Sequence, residues 1–279
     1  MQERYRKMEP LERRKFIEAI QNFRLIDDTF FNIFMDGNKS GMELFLRLIL
    51  DDASIQVNEL LTQREVPNIY GRNVRFDMFV TDNTGTEYNI EVQRDPSGAG
   101  GERARFNSCM LDSLTISKGF QWGKDHLPPA KVIFLTEHDP YGAGKPLYHA
   151  WRTIHELNHL RFDDAAEIIY VNTSWQNDSP LGLLMQDMYC QNPEDMHYRE
   201  LAERASYLKS NDTGVSAMCE AMEKLVNDGV AKGFQEAEEN IVIRMQNKGK
   251  TVSDIQDALG WTADRIVAFL QSRNLRPIK

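Results

Sequence analysis

The chain has 279 residues, 41% of them hydrophobic and 27% charged, with a net charge of −9. That is the balance of a globular protein long enough for one large domain or two smaller ones. It argues against a protein that coats nucleic acid nonspecifically, and no apolar run reaches the ~18 residues of a membrane helix. Even Met42–Leu50 carries Glu43 and Arg47. Met1–Arg14 is charged throughout and lacks the apolar stretch of a signal peptide, so the cytoplasm is the expected location. Cys109, Cys190 and Cys219 are far apart and odd in number, the pattern of reduced thiols rather than a disulfide framework or zinc cluster. Charge is uneven: Asn240–Lys279 holds seven Lys or Arg against three Asp or Glu, a balance of +4 that leaves −13 for the rest.

In chain order, Leu11–Phe23 has apolar residues at helical spacing, and Asp27 or Asp28 is placed to cap a helix running to about Met35. Asp36–Gly41 is turn chemistry, and Met42–Leu50 reads as a helix with Leu44, Phe45, Leu48 and Ile49 on its apolar face. The period then switches to two. A first strand is expected from Ile55 and Val57 onward, and Val74, Phe76, Met78 and Val80 mark a second. After the Asp82–Gly85 turn, Tyr88, Ile90 and Val92 alternate with Asn89, Glu91 and Gln93, which predicts a β-hairpin.

Pro96–Gly101 is a glycine-rich loop, Glu102–Phe120 is expected to be helical, and Lys131–Thr136 and Glu167–Asn172 are expected to be buried strands. Helices are expected between the later strands. From about Pro193 the pattern is almost wholly helical, with a long helix over Val215–Asn247 and two short ones about Gly260–Thr262. The order predicts an α/β (or α+β) core with a mixed sheet flanked by helices over 1–205, and a helical C-terminal region over 206–279.

The chemistry concentrates on the hairpin. Asp77 lies on one strand, and Glu91 and Gln93, two apart on the other, share a face. Two carboxylates and an amide converging on one point suit a hard divalent cation such as Mg2+ or Mn2+, which takes oxygen ligands. Such an ion lowers the pKa of bound water and offsets charge on a phosphate. A solvated acid on an exposed strand is the bland alternative for any one of these residues.

Asp77 before the turn, followed by Tyr88–Arg94, resembles the catalytic hairpin of PD-(D/E)XK nucleases, and more narrowly the branch of recombination-promoting nucleases and transposases. The resemblance extends through Asp28–Phe34, Arg103–Ser108, Val132–Glu137 and Ile169–Asn172, covering roughly residues 20 to 210. It implies a restriction-endonuclease-like core that hydrolyses DNA phosphodiester bonds and acts on mobile or recombining DNA. Asp77, Glu91 and the Val92 backbone carbonyl would be metal ligands, and Gln93 would stand where the superfamily usually has a water-positioning lysine. A neutral amide there forgoes a cation, on the order of 2–4 kcal/mol by analogy with single-donor deletions. A catalytically degenerate fold serving as a binding or regulatory protein is therefore the rival reading. Glu43 is a candidate extra acid, or else a solvated residue of its helix. Arg94, Arg103 and Arg105 follow the site and are candidate DNA contacts, although salt bridges account for them as well.

His155-Glu156-Leu157-Asn158-His159 matches H-E-x-x-H, in which histidines one helical turn apart bind zinc and the glutamate acts as base. The strand-like Ile168–Val171 follows too soon for a third ligand, so a chance match on a polar helix is the preferred reading, with a zinc metalloprotease as the least favoured function. Near the C-terminus, Val252–Leu259 and Ile266–Leu270 resemble a helix-turn-helix. DNA contact, packing and homo-oligomer formation all fit that pair.

Overall fold

The computed structural model describes residues 8–67, 73–116, 119–273 and 275–278. The chain divides into two units after Cys219, inside one continuous helix, whereas the change in sequence pattern placed the division near residue 205. Among the described residues no helix is long and apolar enough to cross a membrane.

The first unit opens with three helices, α1 (Pro10–Gln21), α2 (Asp28–Met35) and α3 (Lys39–Leu50). α3 starts three residues before the expected Met42, because the Asn38 side chain accepts the Gly41 N–H at 3.1 Å and caps it. Its buried face is Met42, Phe45, Leu46 and Ile49 rather than the stripe through Leu44 and Leu48. The two stripes differ by a rotation of about half a turn at most, and the sheet behind the helix decides between them.

Next come β1 (Val57–Val66), β2 (Val74–Asp82) and β3 (Glu87–Gln93), an antiparallel meander. Helix α4 (Gly101–Thr115) leads to β4 (Ala130–Thr136), parallel to β3. α4 is shorter than the expected Glu102–Phe120; residues 117 and 118 lie outside the described set. β8 (Ala166–Asn172) is parallel to β4, and β5 (Leu147–Ala150) pairs antiparallel with β8. The six strands lie in the order β1-β2-β3-β4-β8-β5, a mixed sheet with helices packed against it. No α-helix joins β4 to β8, contrary to the helical connection expected there. That stretch instead forms β5 and a separate small hairpin, β6 (Thr153–Ile154) and β7 (Leu160–Arg161). The unit closes with α5 (Pro180–Asp187), α6 (Arg199–Ser210) and the start of α7 (Asp212–Asn247).

Both faces of the central strands are buried, so their sequences are nearly continuous apolar runs. Phe79, Val132, Phe134 and Tyr170 pack with Ala104, Met110 and Leu111 of α4. The alternate residues Met78, Val80, Ile90, Val92, Ile133 and Leu135 are equally buried. Each such side chain contributes roughly 1.5–3 kcal/mol through removal from water. The exceptions on the α4 side are polar: Asn89 and Glu91 are buried there although β3 could have carried apolar residues.

The second unit holds the remainder of α7, α8 (Val252–Leu259) and α9 (Ala263–Ser272), packed around Val242, Ile255, Trp261, Ile266 and Leu270. Thr251 and Asp254 form a capping box, and Gly260, at φ 68°, ends α8 in the left-handed conformation. α8 and α9 are thus two short helices joined by a turn at Gly260. Arg265 stacks on Trp261 at 3.5 Å and lies 3.8 Å from Glu238, and Arg273 lies 3.4 Å from Glu239, so two of the cations on the pair are engaged with α7.

Candidate functional site

Pairing of β1 and β2 sets Thr62 against Met78 and Arg64 against Phe76; pairing of β2 and β3 sets Met78 against Ile90. In that register Gln63, Asp77 and Glu91 stand abreast on three neighbouring strands and share one face of the sheet. Glu91 pairs onward with Phe134 of β4, and Gln93 with Thr136. The face is the one that α4 covers, because Asn107 and Arg103 of that helix reach the same strand residues.

Glu91 is 1% exposed and both its oxygens are engaged. Oε1 accepts from Asn89 Nδ2 at 2.9 Å, and Oε2 accepts from the Arg103 guanidinium at 2.6 Å. Asn89 in turn accepts from Asn107 at 2.9 Å. The same Arg103 donates to Gln93 Oε1 at 2.7 Å and to the Gly98 carbonyl at 3.1 Å. Gly98 has no room for a side chain, since a Cβ would fall 2.1 Å from the Gln93 amide. The loop after β3 is thus pressed against Gln93, and the guanidinium fills the angle between loop and strand.

Asp77 is less well served. Gln63 Nε2 donates to Oδ1 at 3.4 Å, and the other end of that amide, Gln63 Oε1, is buried without a partner. Burial raises the Asp77 pKa to about 7, and the neighbouring Glu91 charge adds to it; the Val92 backbone N–H and Arg103 oppose the shift. Burial likewise raises Glu91, with Asn89 and Arg103 acting against it. Asp28, exposed in the first turn of α2, contributes further to the rise at Asp77. Gln63 holds a left-handed backbone, φ 52°, in the middle of a strand, a conformation that costs a non-glycine residue about 1 kcal/mol or more.

A divalent ion fits this donor set by its chemistry. Asp77 and Glu91 offer carboxylate oxygens, and the orphaned Gln63 Oε1 is a neutral oxygen beside them. Among the described residues no group of three or more His, Cys, Asp and Glu could hold a metal. Two carboxylates and a neutral oxygen are the hard-oxygen donor type that magnesium or manganese accepts while retaining several waters.

The other candidates separate. Asp77, Glu91, Gln93 and Arg103 are brought together, with Val92 buried in β3 between Glu91 and Gln93. Glu43 is elsewhere: it accepts the Val57 N–H at 2.9 Å and pairs with Arg47 at 3.1 Å, joining α3 to the start of β1. Arg94 is held by Asp27 at 2.9 Å and Glu137 at 2.8 Å. That also revises Asp27, which sits at the N-cap of α2 but turns its side chain to Arg94 and the Arg24 N–H instead of capping. Arg105 has no acidic partner among the described residues and borders a shallow cavity with Ser108, Trp151, Arg152 and Glu167.

The H-E-x-x-H residues occupy a 3-10 turn and the tip of the β6–β7 hairpin, with Asn158 and His159 in left-handed conformations. The polar helix expected there does not form, so the spacing that puts two histidines on one helical face does not apply, although their rings lie 5.0 Å apart. Sequence reasoning missed Gln63, Asn107 and Asp28 as members of the hairpin cluster. Only Asp28 had a signal, its place in the run Asp28–Phe34; a glutamine in a strand and an asparagine in a helix carry none.

The chain matches no protein-family model, no curated protein and no solved structure in the comparisons made with each, so the hairpin's chemistry rests on its own geometry.

Proposed function

We propose that the chain is a magnesium- or manganese-dependent DNA endonuclease with a restriction-endonuclease-like core, of the kind its resemblance to PD-(D/E)XK recombination-promoting nucleases and transposases implies. One observation carries the reading: two carboxylates stand abreast on adjacent strands, one of them poorly satisfied with its pKa raised to about 7. Such an arrangement costs stability and is characteristic of sites that hold a cation or move a proton. A meander followed by a helix and a parallel strand is compatible with such a core.

In this reading Asp77 and Glu91 hold the ion, with the Val92 carbonyl and water completing its shell. Bound there, the metal supplies an acidified water and a counter-charge for the phosphate. Gln93 orients the attacking water through its amide, the function a lysine more often serves. Asp77 is deprotonated above pH 7, the form able to bind a cation.

The test is plasmid nicking with Mg2+ or Mn2+. Asp77→Asn and Glu91→Gln are expected to lower the rate by about 100-fold or more, in the range of single electrostatic deletions. Undiminished cutting by Asp77→Asn would remove the hairpin from the reaction. A binding or regulatory protein on a degenerate nuclease fold is the second reading, favoured by the neutral Gln93 and by the pairing of Glu91 with Arg103 at 2.6 Å. DNA binding without metal-dependent cutting would select it.

A further inference from the structure

Arg103 is the third residue of α4, inside the first turn, where the aligned peptide dipoles disfavour a cation. Something must compensate, and Glu91 does. The guanidinium reaches a carboxylate that is 1% exposed, while its own side chain remains 44% exposed. Among the described residues it is the cation that pairs with Glu91, and it donates to Oε2 while Asn89 donates to Oε1. Its guanidinium carbon lies over the Phe134 ring, 5.9 Å from the centroid, and one of its amino groups ties Gln93 Oε1 to the Gly98 carbonyl. A divalent ion bound by Glu91 would have to share an oxygen that already accepts a hydrogen bond, and at Oε2 it would sit against the guanidinium charge.

Building on the nuclease reading, we propose that Arg103 is a tethered occupant of the cation position. In the metal-free chain it neutralises Glu91 and clamps Gln93. A divalent ion displaces it from Glu91 Oε2, and the released guanidinium, still seated at the N-terminal turn of α4, turns to the phosphate of the substrate. Guanidinium forks suit phosphate oxygens, and an anion at that helix end is favoured where a lone cation is not. The site therefore keeps a cation beside Glu91 at each stage: the singly charged guanidinium of Arg103 before loading and the doubly charged metal afterwards, with Arg103 transferred to the DNA. Gln93, neutral where a lysine is usual, fits this arrangement, because a lysine there would face the guanidinium at close range.

Calorimetric titration of the 279-residue chain with Mn2+ at pH 8 tests the proposal, using Arg103→Met, an unbranched side chain without the charge, and Arg103→Lys, which keeps the charge but not the fork. Removing a charge-assisted competitor should tighten Mn2+ binding by about tenfold or more in Arg103→Met, with Arg103→Lys between it and the parent. DNA cutting should nevertheless slow in both. Tighter metal binding with slower turnover is a combination that a merely structural arginine would not give. Equal or weaker Mn2+ binding by Arg103→Met, with the parent chain binding normally, overturns the displacement and leaves the metal-site reading intact. Should neither the parent nor any variant bind Mn2+, both fall. If Arg103→Met melts below the assay temperature, Arg103→Lys decides alone: Mn2+ affinity no higher than the parent's overturns the proposal.

Discussion

Two aspartates of strand β2, five positions apart, have opposite fates. Asp82, 2% exposed, feels burial pushing its pKa up, yet four donors outweigh that and hold it below the ordinary 3.8. The Thr84 N–H (2.8 Å), the Thr84 hydroxyl (2.7 Å) and the Thr86 N–H (3.0 Å) meet Oδ1, and the Tyr88 hydroxyl (2.7 Å) meets Oδ2. Asp77 has one long side-chain hydrogen bond and a second carboxylate beside it, and rises to about 7. Burial acts on both; what separates them is the supply of donors. The turn end of the hairpin uses its acid to build structure. The open end leaves its acid with weaker partners, which do not offset its burial.

The contrast can be broken from either end. The largest stability effect is expected at Asp82: Asp82→Ala strands the Tyr88 hydroxyl and two backbone N–H groups and should cost about 3 kcal/mol or more, read by denaturant unfolding. Asp77→Asn should do the reverse. At pH 8 it removes a largely buried charge next to Glu91 and should stabilise the metal-free chain by about 1 kcal/mol, even as it lowers the proposed metal-dependent cutting by about 100-fold or more. A loss of stability on that substitution would show Asp77 to be as structural as Asp82.

The pH dependence sharpens the same point. Asp77 is raised in the folded state, so the folded chain binds more protons than the unfolded between about 4 and 7. Its contribution is complete below pH 3.8 and is lost as pH rises through 7. Asp82 is lowered, so its contribution is present above pH 3.8 and is lost as pH falls below that value. Melting temperature of the metal-free chain should therefore decline from pH 5 to pH 8, and Asp77→Asn should flatten that decline. The smallest effect is reserved for Gln63. Gln63→Gly removes the penalty of φ 52° and should change stability by less than about 1 kcal/mol in favour of the variant, because glycine also gains freedom in the unfolded chain. A substantial loss instead would mean that the amide's contact with Asp77 outweighs the strain.

Much of the architecture was legible beforehand. Period-two alternation across Val74–Val80 and Tyr88–Val92, with turn residues between, announced the hairpin and put Glu91 and Gln93 on one face. The β4 and β8 runs and the helical C-terminus were equally plain. The alternation could not tell that the Asn89–Glu91–Gln93 face is also covered, since a polar half of a strand ordinarily faces water. Here α4 brings Arg103 and Asn107 to it.

Local pattern by itself therefore determined where the strands run and which residues share a side, because backbone geometry imposes those periods wherever the chain goes. Tertiary packing alone decided the environment of each acid: Glu91 neutralised by an arginine twelve residues on, Asp77 left short of donors, Glu43 turned to the start of β1, and the paired histidines placed on a hairpin tip. The reason is physical. A pKa or an ion pair depends on distances between groups far apart in the chain, and a residue's type carries no record of what will be folded against it.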